Sequence, residues 1–424
     1  MERGPGGSQG YIFSREHVRE FALVIQGVNK NLRPKTRTQK ELSLISEEIQ
    51  QNLTVLSRPH AKVLAKIVYG MLHTGSCSQT QIAHFLEQRN LGDFATIKQC
   101  LARWTKGTVK TKTPEQCEYR SVAASLMAWI LRKWPSQQMA LAIDMTHLSD
   151  KWISMVVTVL YGQVGIPVNW RMFRADEKFD GKANWISMLR ELKPAVREDI
   201  DVLVLSDRGL WSPDLFREIQ QLGWHPFMRV SGQGCFTPDH GSDSIHYLRD
   251  LVKTPGKHRE MCGVAYAKAK VSCTALAAWD PGHKQPWIVL TDLPPDHELI
   301  RFYGLRNWCE QTFKVLKRGG FGWHKTRMTD PHRAERMWLA FAVTMFWSVL
   351  IGVRKGRRLK SCPISTRSHT KHRLPTEHNF RALVARGLDI VRASMCSLLD
   401  LLAERLPMPT WHIRSTSFKL AKNL

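Results

Sequence analysis

The chain reads as a mixed α/β protein with a helical region ahead of its sheet. Three observations predict this. Apolar runs of strand length recur at residues 139–143, 152–161, 166–173 and 201–206. Helical spacing recurs among them, at 184–192 and 213–222, and helical spacing alone marks the first 135 residues. Finally, the 424 residues are 43% hydrophobic and include 15 Trp, enough apolar mass for a large core and length for roughly two to four domains.

Charge narrows the function classes. Lys and Arg number 62 against 37 Asp and Glu, a formal charge of +25. A folded protein this basic repels itself until a polyanion neutralises it, and nucleic acid is the commonest polyanion to do so. Anionic membrane and plain solubility are the weaker readings. The nine cysteines are odd in number and scattered, with no C-x-x-C pair to hold zinc, so they read as reduced thiols. The start, MERGPGGSQG, lacks the basic-then-apolar form of a signal peptide, and a cytoplasmic location is expected. No fixed-period repeat is visible, which excludes solenoids and propellers.

In chain order, residues 1–135 form the expected helical region. Residues 60–73 carry apolar side chains at helical spacing, and Ser78 with Gln81 three later marks a capping box before a short helix bearing Ile82, Ala83, Phe85 and Leu86. Phe94, Ile97, Leu101 and Trp104 follow a cap at Asp93. Three short helices in about 45 residues suggest a helix-turn-helix, although any small helical bundle has the same pattern. Lys98, Arg103, Lys106, Lys110 and Lys112 tilt the balance towards DNA contact.

The second region, 136–353, holds the sheet. Residues 152–161 and 166–173 are expected to form a meander with 139–143, turning at 162–165. Residues 201–206 (DVLVLS) are wholly apolar between their polar ends, the mark of a central strand. Ser212 and Pro213 suit the cap and first position of the next helix, and a strand follows at 226–230. Residues 231–285 interrupt this order with Gly, Pro, Thr and Cys and are expected to be a mostly β insertion. A strand resumes at 287–293, and a helix is expected over about 296–318. Residues 337–353 are uncharged for 17 residues, a helix of roughly 25 Å, at the short limit for a bilayer. Thr344, Ser348 and basic residues at both flanks (Arg333, Arg336, Arg354, Lys355) favour a core helix, with no membrane. The last region, 354–424, opens with a basic linker of eight Lys or Arg and no acid over 354–373. Val384, Leu388, Val391, Met395, Leu398 and Leu402 then make a heptad-like seam, suited to dimerisation or to packing on its own domain.

Candidate chemistry sits on the helix near 296–318. At α-helical spacing Tyr303, Arg306, Glu310, Lys314 and Lys317 share one stripe, opposite Leu305, Trp308, Thr312, Val315 and Leu316. On its own this is a solvated face with a Glu310 to Lys314 ion pair. Asp144 and Asp207 change the weighting, because each follows a strongly apolar strand, where a sheet opens into a crevice. Three carboxylates supply hard oxygen ligands for a pair of divalent metals, magnesium or manganese, acting on phosphorus. His147, Lys151 and the glycines at 319, 320 and 322 are weaker candidates, the glycines lacking the Lys-Ser/Thr of a phosphate loop.

Here the sequence resembles a family. Tyr303, Arg306, Glu310 and Lys317 stand as Y-x(2)-R-x(3)-E-x(6)-K, and with Asp144 in LAIDMTHL and Asp207 in VLVLSDRGLW they resemble the DDE transposases of bacterial insertion sequences, the insertion-sequence-four family. The resemblance covers about residues 140–320. It implies a ribonuclease-H-like mixed sheet with a β-rich insertion, and Asp144, Asp207 and Glu310 as ligands of two Mg2+ ions, Mn2+ being a plausible substitute. Tyr303, Arg306 and Lys317 would meet the phosphates of the transposon's terminal nucleotides. Trp287 would stack on a flipped base, though an aromatic residue opening a core strand is ordinarily a packing residue. The partners implied are transposon-end DNA with its terminal inverted repeats, target DNA and a second copy of the chain, in a bacterial cytoplasm at the nucleoid. The activity implied is cut-and-paste transposition; the alternative is a catalytically inactive derivative acting as a DNA-binding repressor.

Overall fold

The computed structural model describes residues 36–106, 121–148, 151–240 and 245–355. The chain divides into two compact units, Met1–Lys40 and Glu41–Leu424. Of the first, the described residues open helix α1 (Arg37–Asn52). Gln39 donates its backbone N–H to Thr36 Oγ1 at 3.3 Å while its side-chain oxygen accepts the Thr36 N–H at 3.0 Å, a reciprocal cap.

In the second unit come the helices expected from periodicity: α2 (Arg58–Thr74), α3 (Gln79–Gln88) and α4 (Phe94–Lys106). Ser78 caps α3 by accepting the Gln81 N–H at 3.4 Å, and Asp93 caps α4 by accepting that of Thr96 at 2.9 Å. Helix α4 buries Ile97, Leu101 and Trp104 and leaves Lys98, Arg103 and Lys106 exposed. Lys110 and Lys112 lie outside the described residues, as do the basic linker beyond 355 and the heptad-like seam.

After α5 (Val122–Arg132) the sheet begins: β1 (Gln138–Leu148), β2 (Trp152–Tyr161) and β3 (Val164–Arg174) form an antiparallel meander. The turn is tighter than residues 162–165 suggested. Gly162 and Gln163 alone make it, both with positive φ (55° and 72°), the backbone that suits a two-residue hairpin to the twist of its strands. Helix α6 (Gly181–Leu192), capped by Asp180, leads to β4 (Asp201–Ser206), which pairs parallel with β1. Ser212 caps α7 (Pro213–Gln221) through the Leu215 N–H, and β5 (His225–Arg229) pairs parallel with β4.

The segment 231–285 contains β6 (Phe236–Pro238), β7 (His258–Ala265) and β8 (Val271–Ala278), and β9 (Trp287–Thr291) joins them to β5. The nine strands of the described residues form one mixed sheet in the order β3-β2-β1-β4-β5-β9-β8-β7-β6. The insertion therefore prolongs the sheet.

Alternation along β3 sorts the flanking layers, since neighbouring residues face opposite sides. Asn169 and Arg171 bond α6, Asn169 to the Met188 carbonyl and Arg171 to Asn184, Ser187 and Glu191. Trp170, between them, donates to the Glu335 carbonyl on the other side. Glu335 belongs to α9 (Pro331–Lys355), the long apolar helix. Over residues 337–352 it is apolar on all sides because it is surrounded on all sides: Met337, Trp338, Phe341, Thr344, Phe346 and Ser348 are all buried. The hydroxyls of Thr344 and Ser348 donate to the carbonyls of Ala340 and Thr344, which satisfies them inside the helix itself.

Candidate active site

Strand register places the first two carboxylates. In the parallel β1–β4 pair Ile143 lies opposite Ser206, so Asp144 and Asp207 come next, side by side. β4 ends there, whereas β1 continues four residues further on β2, with Asp144 opposite Val156. Asp144 is therefore inside a strand, a correction to its expected place at a strand end. It marks where β1 loses one neighbour: burial is continuous up to it and alternates after it, with Met145 and His147 exposed. The crevice opens at that step.

The third carboxylate comes from a composite helix, where a single α-helix over 296–318 was expected. Leu299–Arg306 is a 3-10 helix, α8 runs Asn307–Lys314, and Val315–Gly319 is a π turn. The stripe survives this change, because residues three apart in a 3-10 helix and four apart in an α-helix both share a face. Thr312 pins α8 to the sheet: its hydroxyl accepts the Gly165 N–H at 2.9 Å and donates to the Gly165 carbonyl at 2.7 Å. A glycine is needed at 165, since a Cβ there would lie 2.9 Å from Thr158.

Arg306 is the hub. Its Nη2 lies 3.0 Å from Asp144 Oδ2 and 3.6 Å from Asp207 Oδ2, and its Nη1 lies 2.8 Å from Glu310 Oε1. Both its side chain and that of Asp144 are about nine-tenths buried, while Asp207 and Glu310 are 40% and 46% exposed. The Tyr303 hydroxyl, on a buried ring, donates to Asp207 Oδ1 at 3.2 Å. Trp287 stands edge-on to that ring, centroids 5.1 Å apart, in the packing arrangement its strand position suggested. Arg229, which the sequence did not single out, lies 3.8 Å from Asp207 and 6.0 Å from the Tyr303 ring. Its signal was positional: Met228 pairs with Ser206, so Arg229 is next to Asp207 at the parallel strand ends.

Burial and charge act on these groups unequally. Burial raises the Asp144 carboxyl, and the opposing pull of Arg306 does not cancel it. For Asp207 burial is outweighed by Arg306, the Arg208 N–H, the Tyr303 hydroxyl and Arg229, which hold it below the usual range. Burial pushes the Tyr303 phenol well up, so it stays a hydrogen-bond donor. Lys317 is lowered by burial against the attraction of Asp144, which ties the far end of the stripe to the site. His147 and Lys151 are exposed nearby in sequence, and the hydrogen bonds that build the site do not use them. Gly320 closes the π turn, as expected of a helix terminator.

Three carboxylates on one crevice form a hard oxygen donor set, which fits magnesium or manganese in chemistry. As arranged they converge on a guanidinium, and among the described residues no group of three His, Cys, Asp or Glu is gathered to hold a metal ion.

Comparison with known proteins bears on the same residues. Residues 179–347 match the family model described as the transposase DDE domain. The match takes in Asp207, Trp287, Tyr303, Arg306, Glu310 and Lys317 and begins after Asp144. Among solved structures, the cryo-EM structure of the piggyBac transposase synaptic complex with hairpin DNA is similar over 90% of this chain and 85% of that one, at 9% identity and a TM-score of 0.42. No curated protein matches.

Proposed function

We propose that the chain is a DDE transposase of the insertion-sequence-four type, cutting and rejoining DNA at the ends of a bacterial insertion sequence. The observation that carries this reading is the convergence of Asp144, Asp207 and Glu310 at the end of the β1–β4 pair, two of them inside the matched transposase domain. Strand order β3-β2-β1-β4-β5, antiparallel then parallel, supports a ribonuclease-H-like core.

In this reading Asp144, Asp207 and Glu310 hold two Mg2+ ions, which when bound activate the attacking oxygen and stabilise the leaving one. Tyr303 fixes the Asp207 carboxylate through its hydroxyl. Arg306 and Lys317 take the terminal phosphates, and Trp287 offers the half-buried ring beside Tyr303 to a flipped base. The exposed basic face of α4 suits the backbone of the inverted repeat. The protein works as a homodimer on paired ends, at the nucleoid in the cytoplasm.

Cleavage of DNA carrying the element's ends, with Mg2+, tests this. Asp144→Ala, Asp207→Ala and Glu310→Ala should each abolish strand cleavage while leaving end binding within about twofold, since the basic surface is untouched. Near-normal cleavage by any of them removes that residue from the chemistry. Tight end binding without cleavage by the parent protein would instead favour the repressor.

A further inference from the structure

Arg306 carries a second consequence, which rests on the reading of Asp144, Asp207 and Glu310 as the metal ligands. We infer that Arg306 is a built-in counterion that gates metal loading: its guanidinium holds the three carboxylates, and a divalent cation binds them only as Arg306 turns away. Arg306 bonds Asp144 and Glu310 and lies 3.6 Å from Asp207, so it engages one oxygen of every proposed ligand. Guanidinium and metal thus compete for the same atoms.

Two features make the arginine a replaceable occupant. Its Nε is buried with no hydrogen-bond partner, so this placement leaves a donor unsatisfied, and even with Arg229 beside Asp207 two guanidinium groups face three carboxylates. Arg306 is also the last residue of the 3-10 helix and the cap of α8. A change of helix type at that junction rotates Arg306 while Thr312 keeps α8, and with it Glu310, on the sheet. An outside phosphate that takes the guanidinium then strengthens metal binding, and the metal strengthens phosphate binding by the same factor. Arg306 would couple DNA engagement to metal loading.

Mn2+ titration of the full chain, followed by the electron paramagnetic resonance signal of the free ion, tests this. Charge-assisted hydrogen bonds broken on metal entry weaken affinity by about tenfold or more. Arg306→Gln should therefore bind Mn2+ at least about tenfold more tightly than the parent, with Arg306→Lys between them. Asp207→Asn should weaken binding in both backgrounds. Equal affinity of parent and Arg306→Gln, with Asp207→Asn still weakening both, overturns the gate and leaves the ligand assignment standing. Mn2+ binding indifferent to Asp207→Asn and Asp144→Asn overturns the ligand assignment itself. A measurement on the unaltered protein guards against misfolded variants: phenylglyoxal modification of Arg306, read by mass spectrometry, should speed up several-fold on adding Mg2+. An unchanged or slower rate counts against the gate.

Discussion

Asp144 and Asp207 are neighbours on adjacent strands, yet their carboxyls are driven in opposite directions. Asp144 is buried and raised; Asp207, with Arg306, Tyr303 and Arg229 around it, is lowered. The signs have opposite effects on stability. A raised Asp144 keeps its proton longer in the folded protein than in the unfolded chain, so its ionisation costs stability as pH rises from the ordinary aspartate value through the raised one. Asp207 contributes stability above the ordinary value and loses it as pH falls through its lowered one. Asp144→Asn, which cannot ionise, should accordingly gain stability relative to the parent as pH rises through the upper window, and Asp207→Asn should lose it as pH rises through the lower one. Urea unfolding of metal-free protein across acidic to neutral pH checks both; curves for Asp144→Asn and parent that run parallel would contradict the burial of Asp144. At this scale the three carboxylates and their order along the chain were legible from the Y-x(2)-R-x(3)-E-x(6)-K spacing and the apolar strands, and the structure brings them together around Arg306. The hub was not, because Arg306 touches Asp144 across 162 residues of chain. Nor was Arg229, whose significance comes only from a strand register.

Elements were legible where local chemistry decides them and obscure where tertiary contacts do. DVLVLS became β4 over the same six residues, and Ser78, Asp93 and Ser212 capped the helices they were expected to cap. The composite helix was missed because 3-10, α and π segments share apolar and polar faces closely enough for a single period to describe them. What holds α8 in place is one residue on its buried side. Thr312 satisfies both backbone groups of Gly165, and replacing it with the near-isosteric Val leaves that N–H and carbonyl buried without it. Thr312→Val should therefore destabilise the protein by about 1–3 kcal/mol. It should also lower cleavage, since Glu310 rides on the same helix. Denaturant midpoints and cleavage rates measured together decide; lost stability with unaltered cleavage would mean that Thr312 supports the fold without setting the site.

At the scale of the whole molecule, α9 joins what the sequence read as separate regions. Composition identified it as a core helix, since 17 uncharged residues with two hydroxyls and basic flanks fit a protein interior better than a bilayer, but its neighbours were not predictable. Toward the sheet, Glu335 accepts the Met172 N–H of β3 at 2.9 Å, and Trp338 stacks with Trp170 at 6.2 Å. Toward the helical region, Thr344 reaches Met71 of α2 at 3.8 Å and Arg336 donates to the Trp104 carbonyl of α4 at 3.2 Å. The Cys77 N–H, between α2 and α3, bonds the Phe321 carbonyl just past the π turn at 2.8 Å. The helix with the exposed basic face, α4, and the sheet that carries the carboxylate crevice therefore share one core helix. Trp338 is fully buried against Trp170, Trp323 and Phe341, and its truncation leaves a large cavity. Trp338→Ala should cost about 3–5 kcal/mol. Because α9 serves both sides, hydrogen exchange should quicken together in the amides of β3 and of α2 to α4, as in one cooperative unit. Faster exchange confined to β3 would show that the helical region holds its structure independently of α9.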